Sequence, residues 1–401
     1  MAKTYESYKD SGSTWIGQIP SGWELGNFRY YGEFTKGKLP SSTNVEAKGL
    51  PIIGASEMLG KECRTFTEET NVPLCKPDDI LILWDGANAG IISSHHTGVV
   101  SSTAVKYSCL NPDVNKNYLF YLLKSVEPFF KEEVNGTTIP HMNMKYINEV
   151  PLLIPSSKEQ QSIASFLDTK CGEIDSLISL QEEMISELQA YKQSVITEAV
   201  TKGLDPNAKM NCCASREKND ACISSSETQP AIERKFKDSG VEWIGEIPEG
   251  WKTNRLKYLC SIATGNKDTQ DSEEDGIYKF YVRSPIIEHS NSWTFEGEGI
   301  LMAGDGAGAG RVFHHAFGKY AVHQRVYRMA DFKSINTNFL YYYLSSLFCR
   351  IMDMGSAQST VPSVRLPMLT NFVVCIPPLS EQQAIASYLD DKTSQIDSLI
   401  S

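Results

Sequence analysis

The sequence predicts tandem α/β (α+β) domains joined by long coiled-coil helices, the second of which is truncated. Three observations support this prediction. The 401 residues exceed the size of a comfortable single core. One framework of motifs occurs twice along the chain. The segment 159–202, which follows the first copy, has the apolar spacing of a coiled coil.

The two copies keep the same order of motifs, and the framework repeats while the inserts differ. Three pairs of segments correspond: Lys9–Gly12 with Lys237–Gly240, Asp85–Gly90 with Asp305–Gly310, and Glu159–Asp168 with Glu381–Asp390. Between them, residues 36–78 and 264–298 barely resemble each other. A unit of this length is too long for a solenoid repeat, so the pattern indicates a duplicated domain with two diverged inserts.

Apolar runs predict the strands and helices of each copy. Asp79–Trp84 and Gly299–Ala303 are short buried strands that run into Asp-Gly turns, and Val322–Tyr327 alternates like a strand. The dense apolar segments 118–123 and 339–344 predict helices. The glycine-rich turns lack a Gly-Lys-Ser/Thr ending and precede strands, which argues against a phosphate-binding loop.

The long helix after the first copy spans about 66 Å at 1.5 Å per residue. Its apolar heptad positions are Leu167, Ile174, Leu177, Met184, Leu188, Tyr191 and Val195. The second copy has no counterpart of residues 180–203, so we expect the seam from Gln181 to Val195 to be exposed unless another chain covers it. The predicted organisation is a first domain over 1–155, a helix over 156–204, a flexible linker over 205–233, a second domain over 234–378 and the start of a second helix over 379–401.

Composition narrows the class of protein. The net charge of −11 argues against a generally basic coat for nucleic acid. No apolar window is long enough for a membrane span or a secretory signal, so we expect a cytoplasmic protein. The ten cysteines are scattered without the paired spacing of a zinc site, and we interpret them as reduced thiols.

The framework motifs resemble the specificity subunit of type I restriction-modification systems. Each copy opens with K-D-S-G-x-x-W-I-G-x-I-P-x-G-W and closes with I-P-x-x-x-E-Q-Q-x-I-A-x-x-L-D. The resemblance implies that each domain is a target-recognition domain that reads one half of a bipartite sequence in double-stranded DNA. It implies that the two long helices pack antiparallel between the domains and set their spacing. It also implies that these helices dock methyltransferase (M) subunits, and through them restriction (R) subunits. It implies no cofactor in this chain, since the partner subunits would use S-adenosylmethionine, ATP and magnesium in the prokaryotic cytoplasm.

Under this resemblance we expect DNA contacts from the glycine-rich turns and from the polar turn that follows in each copy. The candidates in the first copy are Asp85, Gly86, Asn88, Gly90, Thr137, Thr138, His141 and Asn143. Those in the second copy are Asp305, Gly306, Arg311, Gln324, Arg325, Gln358, Ser359, Ser363 and Arg365. DNA readout needs local basic groups and not a positive total charge. Further basic candidates are Arg283, Arg328, Lys36, Lys38, Lys48 and Lys61.

Other classes of function remain open on the residues alone. A two-domain coiled-coil adaptor for protein ligands would share this organisation, and so would a dimer through the unpaired helix. An intrinsic DNA methyltransferase needs an N/D-P-P-aromatic tetrapeptide, which neither Asn111–Val114 nor Ile376–Leu379 matches. A nuclease needs carboxylates that hold magnesium, and Pro77–Asp79 is not followed by the required E-x-K.

Overall fold

The computed structural model describes residues 5–13, 16–135, 140–204, 234–354 and 362–401. The chain divides into two compact units, Met1–Ser179 (unit 1) and Leu180–Ser401 (unit 2). The predicted linker 205–233 lies outside the described residues. Among the helices that are described, none is both long and apolar enough to cross a membrane.

Unit 1 is built on two four-stranded sheets in its described part. The first, which is antiparallel, has the order Gly32–Lys36, Ala104–Cys109, Ile80–Leu83, Ile92–Ser93. The second has the order Phe66–Thr67, Leu50–Ile53, Gly98–Val100, Leu74–Cys75, with its central strands parallel. Unit 1 also contains two separate strand pairs, which are Tyr8–Asp10 with Gln18–Pro20, and Glu24–Asn27 with Pro151–Ile154.

Unit 1 has five short helices and the start of a long one in its described part. They are Phe28–Tyr31, Ala55–Met58, Lys116–Ser125, Glu127–Asn135 and Met144–Glu149, followed by the first long helix, Ser157–Lys202, which continues into unit 2. The structure confirms the predicted strand before the Asp-Gly turn, the helix over 118–123 and the long helix. The helices Glu127–Asn135 and Met144–Glu149 were not predicted from the sequence.

Unit 2 repeats this arrangement strand for strand. Its antiparallel sheet has the order Ser261–Thr264, Val326–Ala330, Gly299–Ala303, Phe313–Ala316. Its second sheet has the order Glu288–Ser290, Tyr278–Tyr281, Lys319–Val322, Phe295–Glu296, again with parallel central strands. The strand pairs are Phe236–Asp238 with Glu246–Pro248, and Lys252–Arg255 with Val373–Ile376. The helices are Thr337–Met354, Leu366–Thr370 and the second long helix, Leu379–Ile400, with 3-10 turns at Leu256–Tyr258 and Thr269–Asp271.

The second sheet of each unit shows that the diverged inserts share one fold. Three of its four strands come from residues 36–78 in unit 1 and from residues 264–298 in unit 2. Backbone pairing requires an extended chain with apolar residues on one face, which many different sequences provide. The duplication therefore extends through the inserts, although their sequences no longer show it.

One strand prediction is wrong. The segment Val322–Tyr327 is not continuous, because one strand ends at Val322 and the next begins at Val326. The backbone N–H of Val326 donates to the carbonyl of His323 at 2.9 Å, which closes a turn over residues 323–325. The alternation of polar and apolar residues came from a tight turn between two strands, and it exposes Gln324 and Arg325.

A buried glutamine fixes the start of each long helix on its unit. The side chain of Gln160 accepts a hydrogen bond from the backbone N–H of Asn115 at 2.8 Å and donates to the carbonyl five residues earlier at 3.0 Å. The side chain of Gln382 accepts a hydrogen bond from the backbone N–H of Asn336 at 2.7 Å and donates to the carbonyl five residues earlier at 2.9 Å. Both glutamines are 1% exposed. These bonds explain why E-Q-Q occurs in both copies.

The end of the first long helix packs into unit 2. Ile196, Ala199 and Val200 belong to its main hydrophobic cluster. Lys192 Nζ lies 2.7 Å from a carboxylate oxygen of Asp397, near the end of the second long helix. Arg234 joins the carbonyl of Lys202 to Glu381, near the start of that helix. The two long helices therefore run antiparallel where they meet.

This antiparallel packing corrects the predicted position of the exposed seam. Val195 packs against the cluster of unit 2, while Ile174, Leu177, Met184 and Tyr191 are all more than half exposed. The seam was predicted to be exposed from Gln181 to Val195. The second long helix instead covers the last turns of the first, so the exposed stretch lies nearer its middle, and Ile178 and Leu180 extend it.

We expect Gln382→Met to destabilise unit 2 by about 2–4 kcal/mol. The substitution preserves side-chain volume but leaves a buried N–H and a buried carbonyl without partners, each of which costs about 1–3 kcal/mol. Gln383→Met is the matched control, because Gln383 is the next residue of the same helix and is exposed. Urea unfolding of the full chain, followed by circular dichroism, measures both. Equal midpoints for the two variants would show that the buried amide does not stabilise the unit.

Candidate nucleic-acid interface

A glycine-rich turn leaves the most buried strand of unit 1. The strand Ile80–Leu83 is fully buried, and the chain then forms the turn Asp85–Gly90, here called the Asp85 turn. The N–H of Gly86 donates to the carbonyl of Pro140 at 3.1 Å, and the N–H of Met142 donates to the carbonyl of Trp84 at 2.8 Å. These bonds join the turn to the loop that carries His141.

Unit 2 joins the equivalent segments in the same way. The turn Asp305–Gly310, here called the Asp305 turn, follows the buried strand Gly299–Ala303. The N–H of Gly306 donates to the carbonyl of Pro362 at 3.0 Å, and the N–H of Val364 donates to the carbonyl of Gly304 at 2.7 Å. The structure thus brings together, in both units, the two segments that the sequence predicted as contact surfaces.

In unit 1 the carboxylate of Asp85 holds two basic side chains. Lys36 Nζ lies 2.6 Å from one oxygen, and His141 Nδ1 lies 2.5 Å from the other. Burial by itself would raise the pKa of Asp85, but the bonds from Lys36 and His141 outweigh it and hold the pKa below its usual value. Trp84 packs beneath this group, with Lys36 Nζ 5.8 Å from its ring centre.

In unit 2 the carboxylate of Asp305 holds two arginines. Arg283 Nη1 lies 3.1 Å from one oxygen, and Arg325 Nη1 lies 2.8 Å from the other. The Asp305 side chain is only 15% exposed, whereas that of Arg325 is 62% exposed. The aspartate is thus repeated between the units while its basic partners differ in type and in position along the chain.

The last glycine of each turn is required by packing. Gly310 has φ +65°, and a Cβ placed on it would lie 2.9 Å from Met352 Cγ on the helix Thr337–Met354. Gly90 has φ +92° and faces Phe130 in the same way. The group that approaches these two glycines closely is a helix of the same unit. Gly86 and Gly306 also have positive φ, but a Cβ placed on either would meet no described atom within 4 Å.

Several predicted residues lie elsewhere or have structural roles. Asn143 caps the helix Met144–Glu149 by accepting from the N–H of Lys145. Arg311 pairs with Asp353 at 2.6 Å and not with the Asp305 carboxylate. Arg328 donates to the hydroxyl of Tyr320 at 2.8 Å.

The remaining candidates differ in what the structure shows of them. Asn88, Ser363 and Arg365 are exposed. Gln324 donates to Asp268 at 2.9 Å. Among the basic candidates, Lys48 pairs with Glu46 at 2.5 Å, and Lys38 and Lys61 are exposed. Outside the described residues lie Thr137, Thr138, Gln358 and Ser359.

The sequence candidates included all four basic partners of the two aspartates, which are Lys36, His141, Arg283 and Arg325. Sequence reasoning missed other residues around the aspartates. Trp84 was assigned to the strand alone, although an aromatic residue just before an Asp-Gly turn is a usable signal. Asp268, Glu288 and His323 were not selected either, and they line or border the Asp305 site. Asp268 and Glu288 lie in the diverged insert, where no comparison between the copies could identify them.

Two α/β units that each place a basic cluster on an aspartate at the same turn define a duplicated recognition protein. A family model described as type I restriction modification DNA specificity domain matches residues 20–190 and again residues 248–399. The chain belongs to this family. The resemblance inferred from the framework motifs is confirmed.

Individual relatives agree with this assignment. The chain is 27% identical over 412 residues to the type I restriction enzyme MjaVIII specificity subunit of Methanocaldococcus jannaschii, which covers 96% of this chain and 88% of that protein. It is 33% identical over 154 residues to the type I restriction enzyme EcoDI specificity subunit of Escherichia coli, covering 38% of this chain and 34% of that protein.

A solved structure shares the fold. A chain from a study of complex assembly and conformational transition of the type I R-M system superposes with a TM-score of 0.64. The match covers 95% of this chain and 93% of that chain at 15% identity. The arrangement of two tandem units of mixed sheet and helix is therefore that of a known fold.

Proposed function

We propose that this chain is the sequence-specificity subunit of a type I restriction-modification complex, in which each unit reads one half of a bipartite DNA target. The observation that carries the proposal is the basic cluster held by an aspartate at the same turn of both units. The diverged insert of each unit lies beside this cluster and contributes to a sheet whose strand order is the same in both units. A scaffold that is constant between the units, with inserts that differ, suits a protein whose two halves recognise different DNA sequences.

The clusters supply the chemistry that DNA contact needs. Arginine and lysine bind phosphates and the acceptor atoms of guanine, and arginine carries five N–H donors. Asp305 uses only part of the donor set of Arg283 and Arg325, so the remaining N–H groups are available to DNA. The carboxylate also limits how far these side chains can swing, which reduces the entropy lost on binding.

The acidic total charge is compatible with this proposal. Many acidic residues lie on the first long helix, including Glu173, Asp175, Glu182, Glu183 and Glu187, and all of these are exposed. Association with DNA depends on the local potential at the contact surface more than on the sum over the chain. Two modest surfaces on one molecule also gain effective concentration on a split target.

We further propose that the chain itself performs no chemistry. Methylation and restriction would belong to M and R subunits that use S-adenosylmethionine, ATP and magnesium, in the cytoplasm of a prokaryote. The exposed seam of the first long helix, from Ile174 to Tyr191, would dock an M subunit. A second copy of this chain is the other possible occupant, and light scattering that shows a monomer without partners would exclude it.

We expect binding of target DNA by the chain with its M subunits to fall steeply with salt. Each phosphate contact contributes a slope of about −0.9 to the dependence of log K on log salt, so roughly six to ten contacts lose about 10³–10⁵ in affinity between 50 and 200 mM. Fluorescence anisotropy with labelled duplexes measures the slope. An adaptor for protein ligands would bind DNA weakly at every salt concentration, and that result would overturn the proposal.

We expect basic residues of each unit to affect only one half of the target. Lys36→Ala should relax or weaken recognition of the half read by unit 1, and Arg325→Ala that of the other half, each by about 5- to 150-fold at the affected bases. Sequencing the methylated bases in cells that carry each variant measures this. Lys333→Ala is the control, since Lys333 is exposed and follows the end of the strand Val326–Ala330 that is opposite to the Asp305 turn. Identical motifs for all three variants would count against both clusters.

A further inference from the structure

A cleft beside the Asp305 turn is lined by residues with buried polar atoms that make no hydrogen bond to any described residue. It has a volume of about 530 Å³ and lies between the turn and the insert of unit 2. Its polar lining includes Arg283, Glu288, Asp305 and His323. Three buried side-chain nitrogen or oxygen atoms in the described part of the chain lack a hydrogen-bond partner, and two of them, Glu288 Oε2 and His323 Nε2, belong to residues that line this cleft.

The imidazole of His323 is held as a donor. Its Nδ1 accepts the backbone N–H of Arg325 at 3.0 Å, so the proton of the neutral ring lies on Nε2. Burial lowers the pKa of His323, and the charge of Arg283 acts in the same direction, which keeps the ring neutral. Nε2 lies 3.5 Å from Asp268 Oδ1, without the geometry of a hydrogen bond. The side chain is 3% exposed.

Glu288 supplies the complementary acceptor. A buried carboxylate oxygen without a partner costs free energy in the free protein, and a ligand that donates a hydrogen bond to it recovers that cost. Both residues line the same cleft, and one carries a buried acceptor atom while the other carries a buried donor atom. An unpaired donor and acceptor of this kind discriminate strongly, because a ligand that lacks the matching group leaves them buried and unsatisfied.

Unit 1 has different residues at the equivalent positions. The backbone N–H of His323 donates to the carbonyl of Tyr281 at 3.0 Å, and the backbone N–H of Ser101 donates to the carbonyl of Ile53 at 3.0 Å. Because these bonds occupy the same place in the second sheet of each unit, Ser101 is the counterpart of His323. The strand register likewise places Thr65 where unit 2 has Glu288. Equivalent positions of the shared scaffold therefore carry different hydrogen-bonding groups in the two units, as expected of positions that determine specificity.

Resting on the proposed function, we propose that this cleft of unit 2 reads a base whose exocyclic amino group faces the major groove, adenine or cytosine. Glu288 accepts from the amino group, and His323 donates to the neighbouring acceptor atom in the groove. Carboxylates accept from the amino group of cytosine in the major groove, and an acceptor beside a donor matches the edge of adenine. The Asp305 turn forms one wall of the cleft and places Arg283 next to it.

The test uses the full chain assembled with its M subunits and duplexes that carry the methylated motif. The substitutions are made in the half of the DNA target whose recognition changes in Arg325→Ala. Each adenine there is replaced in turn by purine, and each cytosine by 2-pyrimidinone, because these analogues lack only the amino group. We expect one position at which the wild-type complex loses about tenfold or more in affinity. In Glu288→Met this loss should fall below about twofold, because the acceptor is gone. Whether purine or 2-pyrimidinone causes the loss identifies the base.

Glu274→Met is the matched control, because Glu274 lies on the same insert and is exposed; it should keep the wild-type loss. If Glu288→Met does not fold, Glu288→Gln replaces it, and the loss should then decrease several-fold because a neutral acceptor replaces a charged one. The assignment of the cleft would be overturned if wild type and the Glu288 variant lost the same affinity on removal of the amino group. It would also be overturned if the affinity of the wild-type complex depended on no amino group at any position. A wild-type complex that prefers no sequence would instead overturn the proposed function.

Discussion

Each unit is organised around one carboxylate at the end of a buried strand. Asp85 and Asp305 occupy equivalent turns, and backbone hydrogen bonds tie each turn to the loop that carries His141 or Ser363. The carboxylate then holds basic side chains that arrive from other parts of the unit. Because the turn is constant and its neighbours are not, the same scaffold can present a lysine and a histidine in one unit and two arginines in the other.

The sequence predicted the parts of the fold that depend on local patterns. The repeat, the buried strands before the Asp-Gly turns and the long helix all follow from spacing and apolar periodicity, which act over a few residues. The resemblance of the framework motifs also predicted the family. The E-Q-Q motif was recognised as a signature, but its physical basis, a buried amide that bonds Asn115 or Asn336, needed the structure.

Contacts between distant segments could not be predicted in this way. The resemblance implied antiparallel long helices, but only the structure shows which turns the second helix covers. Met184 and Tyr191 are exposed as predicted, whereas Val195 was wrongly expected to be exposed. Arg311 follows a predicted contact turn, yet it pairs with Asp353. Glu288 begins the strand Glu288–Ser290 of the diverged insert, His323 follows the strand Lys319–Val322, and both strands pair with Tyr278–Tyr281. This pairing, which the sequence does not show, places both residues in the lining of one cleft.

The central claim is that two units of one chain each read half of a split DNA sequence. Sequencing the methylated bases of a host with and without this gene tests it most directly. We predict a motif of two short specific segments separated by a fixed unspecific spacer, and we predict that the motif disappears when the gene is deleted. A continuous motif, or a bipartite motif that persists after deletion, would contradict the account.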